Sequence, residues 1–428
     1  MEPYTLIIGC SIIIIFSFFF GEVSKRTNIP SVLMLIFLGI GLQYVFPFIT
    51  SYDLGDTLKT LGTIGLIMIV LEAALELELK PEKYLPIAKS FGIALVGLLL
   101  STWVAAETLK YFIDGMTNLS AWLYATPLSI LSSAIIIPSV TELRGDKKEF
   151  HIYESTFSDI LGIMLFFFLA GQVGDVDPID GTSAHGSGIG SFFGLTGLTI
   201  VLSLVAAYAI LVVFQGIKSH TKLFLLIAVL LLLYAVGKKF HLSSLIIILV
   251  FGLVIANMKL FFQGPFRKWL DLKKAHHIYE GLHVITMETA FVIRTFFFVV
   301  FGLTIAIAGI FNLQVALVSL IILVSIYLIR FLLLRLLVGK DILPQLFVAP
   351  RGLITVLLFN DIPVVAEVAA FDKGILLFVI FGTSLIMTAA MIWDKRRAGM
   401  AVKRSLSTPV GYAKWRAPRV EDLQIEKD

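Results

Sequence analysis

The sequence has a single cysteine, Cys10, among 428 residues. A lone thiol excludes an internal disulfide and any thiolate metal cluster. Charge is scarce as well: Asp, Glu, Lys and Arg make up 15% of the chain, against about 25% in soluble domains. There is no His-Glu-x-x-His for a hydrolytic zinc site and no Gly-x-Ser-x-Gly for a serine nucleophile. No enzymatic site is therefore signalled, and no cofactor is expected. A selectivity-filter repeat such as Thr-Val-Gly-Tyr-Gly is also missing, which leaves a cation channel only as an alternative. The opening Met1-Glu2-Pro3 lacks a basic segment, so the first apolar run is expected to be an uncleaved span and not a signal peptide.

What is present is apolar. Hydrophobic residues make up 58% of the chain and the mean hydropathy is +0.95, which describes an all-α polytopic membrane protein. Runs of spanning length fall at about 5–20, 31–48, 61–78, 90–109, 121–139, 151–172, 191–214, 223–237, 243–258, 284–309, 313–337, 344–360 and 373–392, thirteen in all. Basic residues mark every second loop: Lys25/Arg26, Lys80/Lys83/Lys89, Arg144/Lys147/Lys148, Lys218/Lys222, Arg267/Lys268/Lys273/Lys274, Lys340 and Lys395/Arg396/Arg397. The opposite loops hold Asp53/Asp56, Asp114 and Asp175/Asp177/Asp180, with Lys238/Lys239 as the exception. The positive-inside rule then puts the N-terminus outside and the C-terminus in the cytoplasm, in the cell (inner) membrane. The net charge of +4 is thus a matter of topology, and no nucleic-acid partner is expected. The segment from 173 to 190 is Gly/Asp/Ser-rich and reads as a mobile loop. The tail at 395–428 is polar, with a basic first half suited to an anionic leaflet.

Seven runs before the midpoint and six after suggest two six-helix repeats, spans 1 to 6 and 8 to 13, joined by span 7. An odd linker inverts the second repeat, a common plan among secondary transporters. The fifth span of each repeat is interrupted. Span 5 carries Pro127, Pro138 and Ser132-Ser133; span 12 carries Pro350 and Gly352 on either side of Arg351. Proline removes a backbone donor and disfavours helix just before it, so each span either kinks or unwinds near its centre. Unwinding in both would expose peptide groups to a buried ion site.

Span 6, from His151 to Gln172, holds Glu154, Ser155, Ser158 and Asp159 in its first half. A carboxylate near the middle of a spanning helix costs about 2.5 to 3.5 kcal/mol and usually faces a pathway or a partner. Glu154 and Ser158 are four residues apart, as are Ser155 and Asp159, giving two polar rows about 100° apart. One row can bind a structural partner while the other faces water.

These segments carry a resemblance. Glu154-Ser155-x-x-Ser158-Asp159 is similar to the Glu-x-x-x-Asn-Asp signature of the monovalent cation:proton antiporter superfamily, and the chain resembles that superfamily up to about residue 395. Leu131-Ser132-Ser133-Ala134 with Glu142-Leu143-Arg144-Gly145 resembles its first crossing helix. Arg351-Gly352-Leu353 resembles the second, and Leu71-Glu72-Ala73-Ala74-Leu75 resembles the third helix. The resemblance implies a homodimer with a scaffold and dimerisation domain at 1–80 and 223–310. A core ion-translocation domain at 84–172 and 313–394 would move against it, with a linker helix at 191–214. Asp159 would bind cation and proton in turn, with Ser158 beside it in the ion and proton site and the Ser132, Ser133, Thr126 or Ser155 hydroxyls, main-chain carbonyls and water completing the cation's shell. The partners implied are a monovalent cation, Na⁺ first with K⁺ or Li⁺ as alternatives, protons and the lipid bilayer.

Arg330 lies about seven residues inside the inner end of span 11 and either snorkels to headgroups or pairs with Glu154, which enters span 6 at similar depth. In the electroneutral branch a matching pair is structural. Two departures from the family pattern matter. Ser158 stands where that branch has Asn and the electrogenic branch a first Asp, so one acid remains, which suits one proton per cation. Span 5 also lacks the Thr-Asp-Pro of many electroneutral members, which keeps a potassium/proton antiporter open. Glu72, about seven residues from the inner end of span 3, is expected to line the inner funnel, to sit at the dimer interface or to be structural. Arg294, near mid-span 10, is expected to pair with Glu288 or to face the core. Glu280, His276, His277 and His283 form an amphipathic stretch before span 10, read as an interfacial helix with cytoplasmic pH sensing as the alternative.

Overall fold

The computed structural model describes residues 3–407 apart from 28, 46–53, 78, 80, 141–142, 144, 174–188, 218–221, 240–243, 263–271 and 305–311. Glu142, Arg144, most of the 173–190 loop and the tail beyond 407 lie outside the described residues, as do Asp53, Lys80, Lys218, Arg267 and Lys268.

Among the described residues the regular elements are helical. In order they are α1 (Pro3–Thr27), α2 (Ser31–Val45), α3 (Leu54–Glu76), α4 (Tyr84–Phe112), α5 (Asn118–Ser129), α6 (Ser133–Ser139), α7 (Gly145–Ala170) and α8 (Ile189–Phe214). There follow α9 (Lys222–Lys239), α10 (Ser244–Ala256), α11 (Met258–Phe261), α12 (Leu272–Thr304), α13 (Leu313–Leu337), α14 (Leu353–Asn360) and α15 (Gly374–Ser407). The thirteen apolar runs fall on these helices in order, with span 5 divided between α5 and α6 and span 12 reduced to α14. Among the described residues eight helices are long and apolar enough to cross a membrane, and Ser31–Tyr44 and Ser244–Ala256 are shorter apolar ones.

Several helices outrun their apolar stretch. α12 begins at Leu272, so the histidine-bearing segment is the first part of span 10's own helix and not a separate interfacial one. α15 continues to Ser407, so the first part of the polar tail is helical.

Two sets of contacts organise the bundle. In one, α12 packs along α2 and α3, and α10 along α3 and α8. In the other, α4 packs along α5, α7 and α13, and α13 along α15. α14 touches α3, α5 and α7. The inverted repeat is visible in the first set. Span 2 crosses span 10 (α2 on α12), and its counterpart span 9 crosses span 3 (α10 on α3). Each crossing needs a glycine. A Cβ on Gly302 would sit 3.0 Å from Gly39 Cα, and one on Gly252 would sit 2.6 Å from Ala74 Cβ. Lipid tails are as apolar as leucine, so helix association in a membrane rests on such close approach and on hydrogen bonds. Ser17 Oγ and Thr295 Oγ1, 2.6 Å apart, add one between α1 and α12. Asn257, at the end of α10, donates to Leu77 O at 2.7 Å and accepts from Leu79 N at 2.5 Å, pinning the chain as it leaves α3.

Candidate functional site

Span 5 breaks between Ser129 and Ser133. Ile130 and Ser132 are extended, and the helix resumes at Ser133. Pro127 and Pro138 lie inside the two half-helices and not at the break itself. The second interruption is longer: from Asp341 to Gly352 the chain forms no α-helix, and α14 starts only at Leu353. Pro350 explains part of this, because it disfavours helix at the residue before it.

A broken helix leaves carbonyls at one half-end and N–H groups at the other. In the apolar interior each needs a partner, and the two interruptions supply one another. Ser132 N donates to Pro350 O at 2.9 Å. Arg351 Nε donates to Leu128 O at 3.0 Å, Nη2 to Ser129 O at 3.1 Å and Nη1 to Ala349 O at 2.6 Å. Its own N–H goes to Thr383 Oγ1 at 3.1 Å. The guanidinium thus sits against the negative end of the α5 dipole, fully surrounded by protein. Gly352 permits the approach, since a Cβ there would lie 2.6 Å from Ser132 Oγ.

α7 meets the break with two adjacent residues. Ser158 Oγ accepts from Leu131 N at 3.0 Å, and Asp159 Oδ2 accepts from Ser133 N at 3.3 Å. Ser158, which stands where a carboxamide or a second acid was expected, is an acceptor for the unwound backbone. Asp159 is 2% exposed, and its Oδ1 has no hydrogen-bond partner. Ser132 Oγ, also buried, has none either. Asp159 lines a cavity of about 20 Å³ with Ile69, Val70 and Ala73 of α3, Leu245 and Leu249 of α10, and Ile354 of α14. That is room for one water or one small ion. The open carboxylate oxygen can take a proton or a cation, and a hard monovalent cation would suit the oxygen donors beside it. Thr126 of α5 and Ser155 of α7 are buried, but their hydroxyls donate to Trp122 O and His151 O, both at 2.7 Å. Among the described residues no three or more His, Cys, Asp or Glu side chains are grouped to hold a metal ion.

On the side of α7 toward α4 and α13, Arg330 Nη1 and Nη2 grip Glu154 Oε1 and Oε2 at 2.6 and 2.7 Å, a bidentate pair with both residues buried. Arg330 Nε donates to Gln345 O at 3.0 Å, so the arginine does not snorkel to headgroups. A second cavity, about 30 Å³, lies between this pair, Ser101, Ser129, Ser158 and Arg351.

The remaining charges sort as follows. Arg294 pairs with Glu72 at 3.2 Å and not with Glu288, which ties span 3 to its repeat counterpart, span 10. One turn further in, Tyr279 OH donates to Leu75 O at 3.2 Å. His276 lies 3.4 Å from Glu280, and both side chains are exposed. Sequence reasoning missed His151, Gln345 and Thr383. His151 was legible as a polar residue at the head of an apolar run, whereas Gln345 acts through its backbone and Thr383 through a partner 32 residues away.

Two interrupted spans, crossing in the interior beside a buried carboxylate with an open oxygen, define a secondary transporter. The family described as sodium/hydrogen exchanger, transmembrane, matches residues 12–393, and the chain belongs to that family of cation/proton antiporters. The fold is similar to that of the sodium/proton antiporter MjNhaP1 of Methanocaldococcus jannaschii at pH 8, with a TM-score of 0.67 and 18% identity over 92% of this chain and 99% of that one. An electron-microscopy structure of the same antiporter gives 0.65 and 19% identity over 98% and 100%. The curated proteins yield no match to this sequence.

Proposed function

We propose that the chain exchanges a monovalent cation, Na⁺ first, for H⁺ with Asp159 as the shared site, one proton per cation and no net charge moved. The observation that carries this reading is the open Oδ1 of a buried carboxylate placed against an unwound helix. Ser158 makes Asp159 the one acid of that α7 pair, and one carboxylate exchanges one charge for one charge. Ser132, with its unpartnered hydroxyl, is the first further oxygen for the cation, and Ser133, Thr126 and Ser155 are the reserve. Glu154 and Arg330 neutralise each other and stay out of transport.

Alternating access would come from the α4–α7 and α13–α15 set moving against α3, α10 and α12. The walls that α3 and α10 turn toward Asp159 are aliphatic, a seam with few directional bonds to break. In this reading the set with α3 and α12 is the static scaffold of a homodimer, with Glu72 and Arg294 fixing it. The N-terminus faces out, and the inner ends carry the basic loops.

The test is proton release from proteoliposomes read by a pH-sensitive dye on adding Na⁺, K⁺ or Li⁺, with the membrane potential clamped and then free. Wild type should respond to one or more of the cations equally in both regimes, and Asp159→Asn should not respond. An Asp159→Asn protein that exchanges like wild type would move the site elsewhere. A response to K⁺ alone would change the ion and keep the site.

A further inference from the structure

The last turns of α4 carry two opposite charges that nothing in the bundle uses. Glu107 and Lys110 are both exposed, three residues apart on the helix. Among the described residues neither side chain has a hydrogen-bond or ion-pair partner, and they do not pair with each other. The length of the helix sets their level. α4 runs for 29 residues, Tyr84–Phe112, which at 1.5 Å per residue is about 43 Å, the depth of a bilayer with both headgroup layers. Glu107 comes five residues before its end, about 7.5 Å along the axis, where hydrocarbon gives way to headgroups.

The neighbours of this charge pair are ordered along the membrane normal. Leu99 and Leu100 are exposed toward the bilayer centre, Trp103 follows, and Tyr111 lies beyond Glu107 and Lys110, also exposed. At about 100° per residue these six side chains fall within an arc of about 120° on one face of the helix. Trp103, Glu107 and Tyr111 border a cavity of about 310 Å³. The Tyr111 ring meets the Phe112 ring edge-on, with centroids 4.9 Å apart, and the Phe112 carbonyl accepts from Gln314 Nε2 of α13 at 2.9 Å. The end of the groove is thereby fixed to the neighbouring helix.

We infer that this groove binds a phospholipid whose headgroup ends in a primary ammonium, an ethanolamine phospholipid. A carboxylate between two aromatic side chains attracts an ammonium by ion pairing and by cation–π contact. The headgroup phosphate, a few bonds away, is matched by Lys110, and the acyl chains lie along Leu100 and Leu99. A glycerol headgroup offers Glu107 no cation. A choline headgroup keeps the cation–π attraction but has no N–H to donate to the carboxylate. With the N-terminus facing out, as proposed above, the lipid belongs to the outer leaflet.

The test is native mass spectrometry of the detergent-solubilised full chain mixed with palmitoyl-oleoyl phospholipids bearing ethanolamine, choline or glycerol headgroups. Wild type should retain the ethanolamine lipid over either of the others by roughly two- to fivefold, the span of one exposed charge or cation–π contact. Glu107→Gln should bring the ethanolamine lipid down to the level of the choline lipid, and Trp103→Leu should lower both. Glu82→Gln, which alters an exposed carboxylate just before the opposite end of α4, should keep the wild-type preference. A Glu107→Gln protein with the wild-type preference, or a wild type with none, would overturn the inference. So would disulfide crosslinking between copies through Glu107→Cys in a Cys10→Ser background, which would make the groove a face between two chains. Lipid binding needs no transport, so a chain that exchanges no cation would sink the antiport reading and leave this result intact.

Discussion

Arg351 Nη2 donates to the carbonyl of Ser129 at 3.1 Å, so the side chain of one interrupted span closes the open end of the other. The same guanidinium reaches Leu128 O and Ala349 O. Lysine has the charge but not the fork, and cannot serve three carbonyls in fixed directions. Each buried carbonyl left without a donor costs about 1 to 3 kcal/mol. Arg351→Gln should therefore lower the melting temperature in detergent strongly and abolish exchange, with Arg351→Lys intermediate. An Arg351→Gln protein that melts like wild type would mean the carbonyls find water and the clamp is dispensable.

Glu154 and Arg330 should behave differently. Removing one partner of a buried pair strands the other charge, at about 3 to 5 kcal/mol, while removing both strands neither. Glu154→Gln and Arg330→Gln should each destabilise by that order, and the double variant by clearly less than their sum. Because the pair is assigned no transported charge, any double variant that folds should still exchange. A strictly additive melting cycle would show that the two residues act apart in solution, whatever their spacing of 2.6 Å.

Two serines at the first interruption separate structure from ion binding. Ser158 Oγ is spent on Leu131 N, whereas Ser132 Oγ has no partner. Ser158→Ala leaves a peptide N–H unsatisfied, and should cost about 1 to 3 kcal/mol in stability with little change in cation KM. Ser132→Ala removes a free oxygen and should raise the cation KM several-fold while the melting temperature holds, since a hard cation loses a ligand it cannot replace with a methyl group. The reverse pattern, a KM effect at Ser158 and a stability effect at Ser132, would exchange their roles.

Competition at one carboxylate also fixes the direction of the pH response. Protonating Asp159 removes the charge that holds the cation, so the apparent cation KM should rise as pH falls, approaching tenfold per pH unit once the proton dominates. Initial rates over a grid of cation concentration and pH measure this directly. A KM that is flat with pH would separate the proton site from the cation site.

Much of this arrangement is readable before any coordinates. Periodicity of composition alone orders the thirteen apolar runs, because a spanning helix needs about 20 apolar residues and little else does. Pro127, Pro138, Pro350 and Gly352 announce two interruptions, but not their position: the first unwinds beyond Pro127, at Ile130 to Ser132, where Ser158, Asp159 and Pro350 take up the freed N–H groups. That choice depends on what crosses nearby. Arg294 illustrates the same limit. Local spacing offers Glu288, two turns away on the same helix, yet the repeat symmetry delivers Glu72 from span 3. His151 is visible in the sequence as a polar residue, but the burial of its ring, with Nδ1 3.6 Å from Glu154 Oε2 and neither nitrogen hydrogen-bonded, is a property of packing.

The glycine crossing of α2 and α12 gives the sharpest steric test. A Cβ on Gly39 would sit 2.9 Å from Gly302 Cα and closer still to the Val299 carbonyl, which is backbone and cannot rotate away. The two helices would have to separate along their whole contact, and α12 carries Arg294 to Glu72 and Thr295 to Ser17. Gly41, two residues on, meets nothing within 4 Å. Gly39→Ala should therefore destabilise by about 1 to 3 kcal/mol, the usual cost of overpacking, and Gly41→Ala should be neutral or slightly stabilising through helix propensity. Thermal melting of the two variants decides it, and equal behaviour would mean that α2 and α12 cross elsewhere.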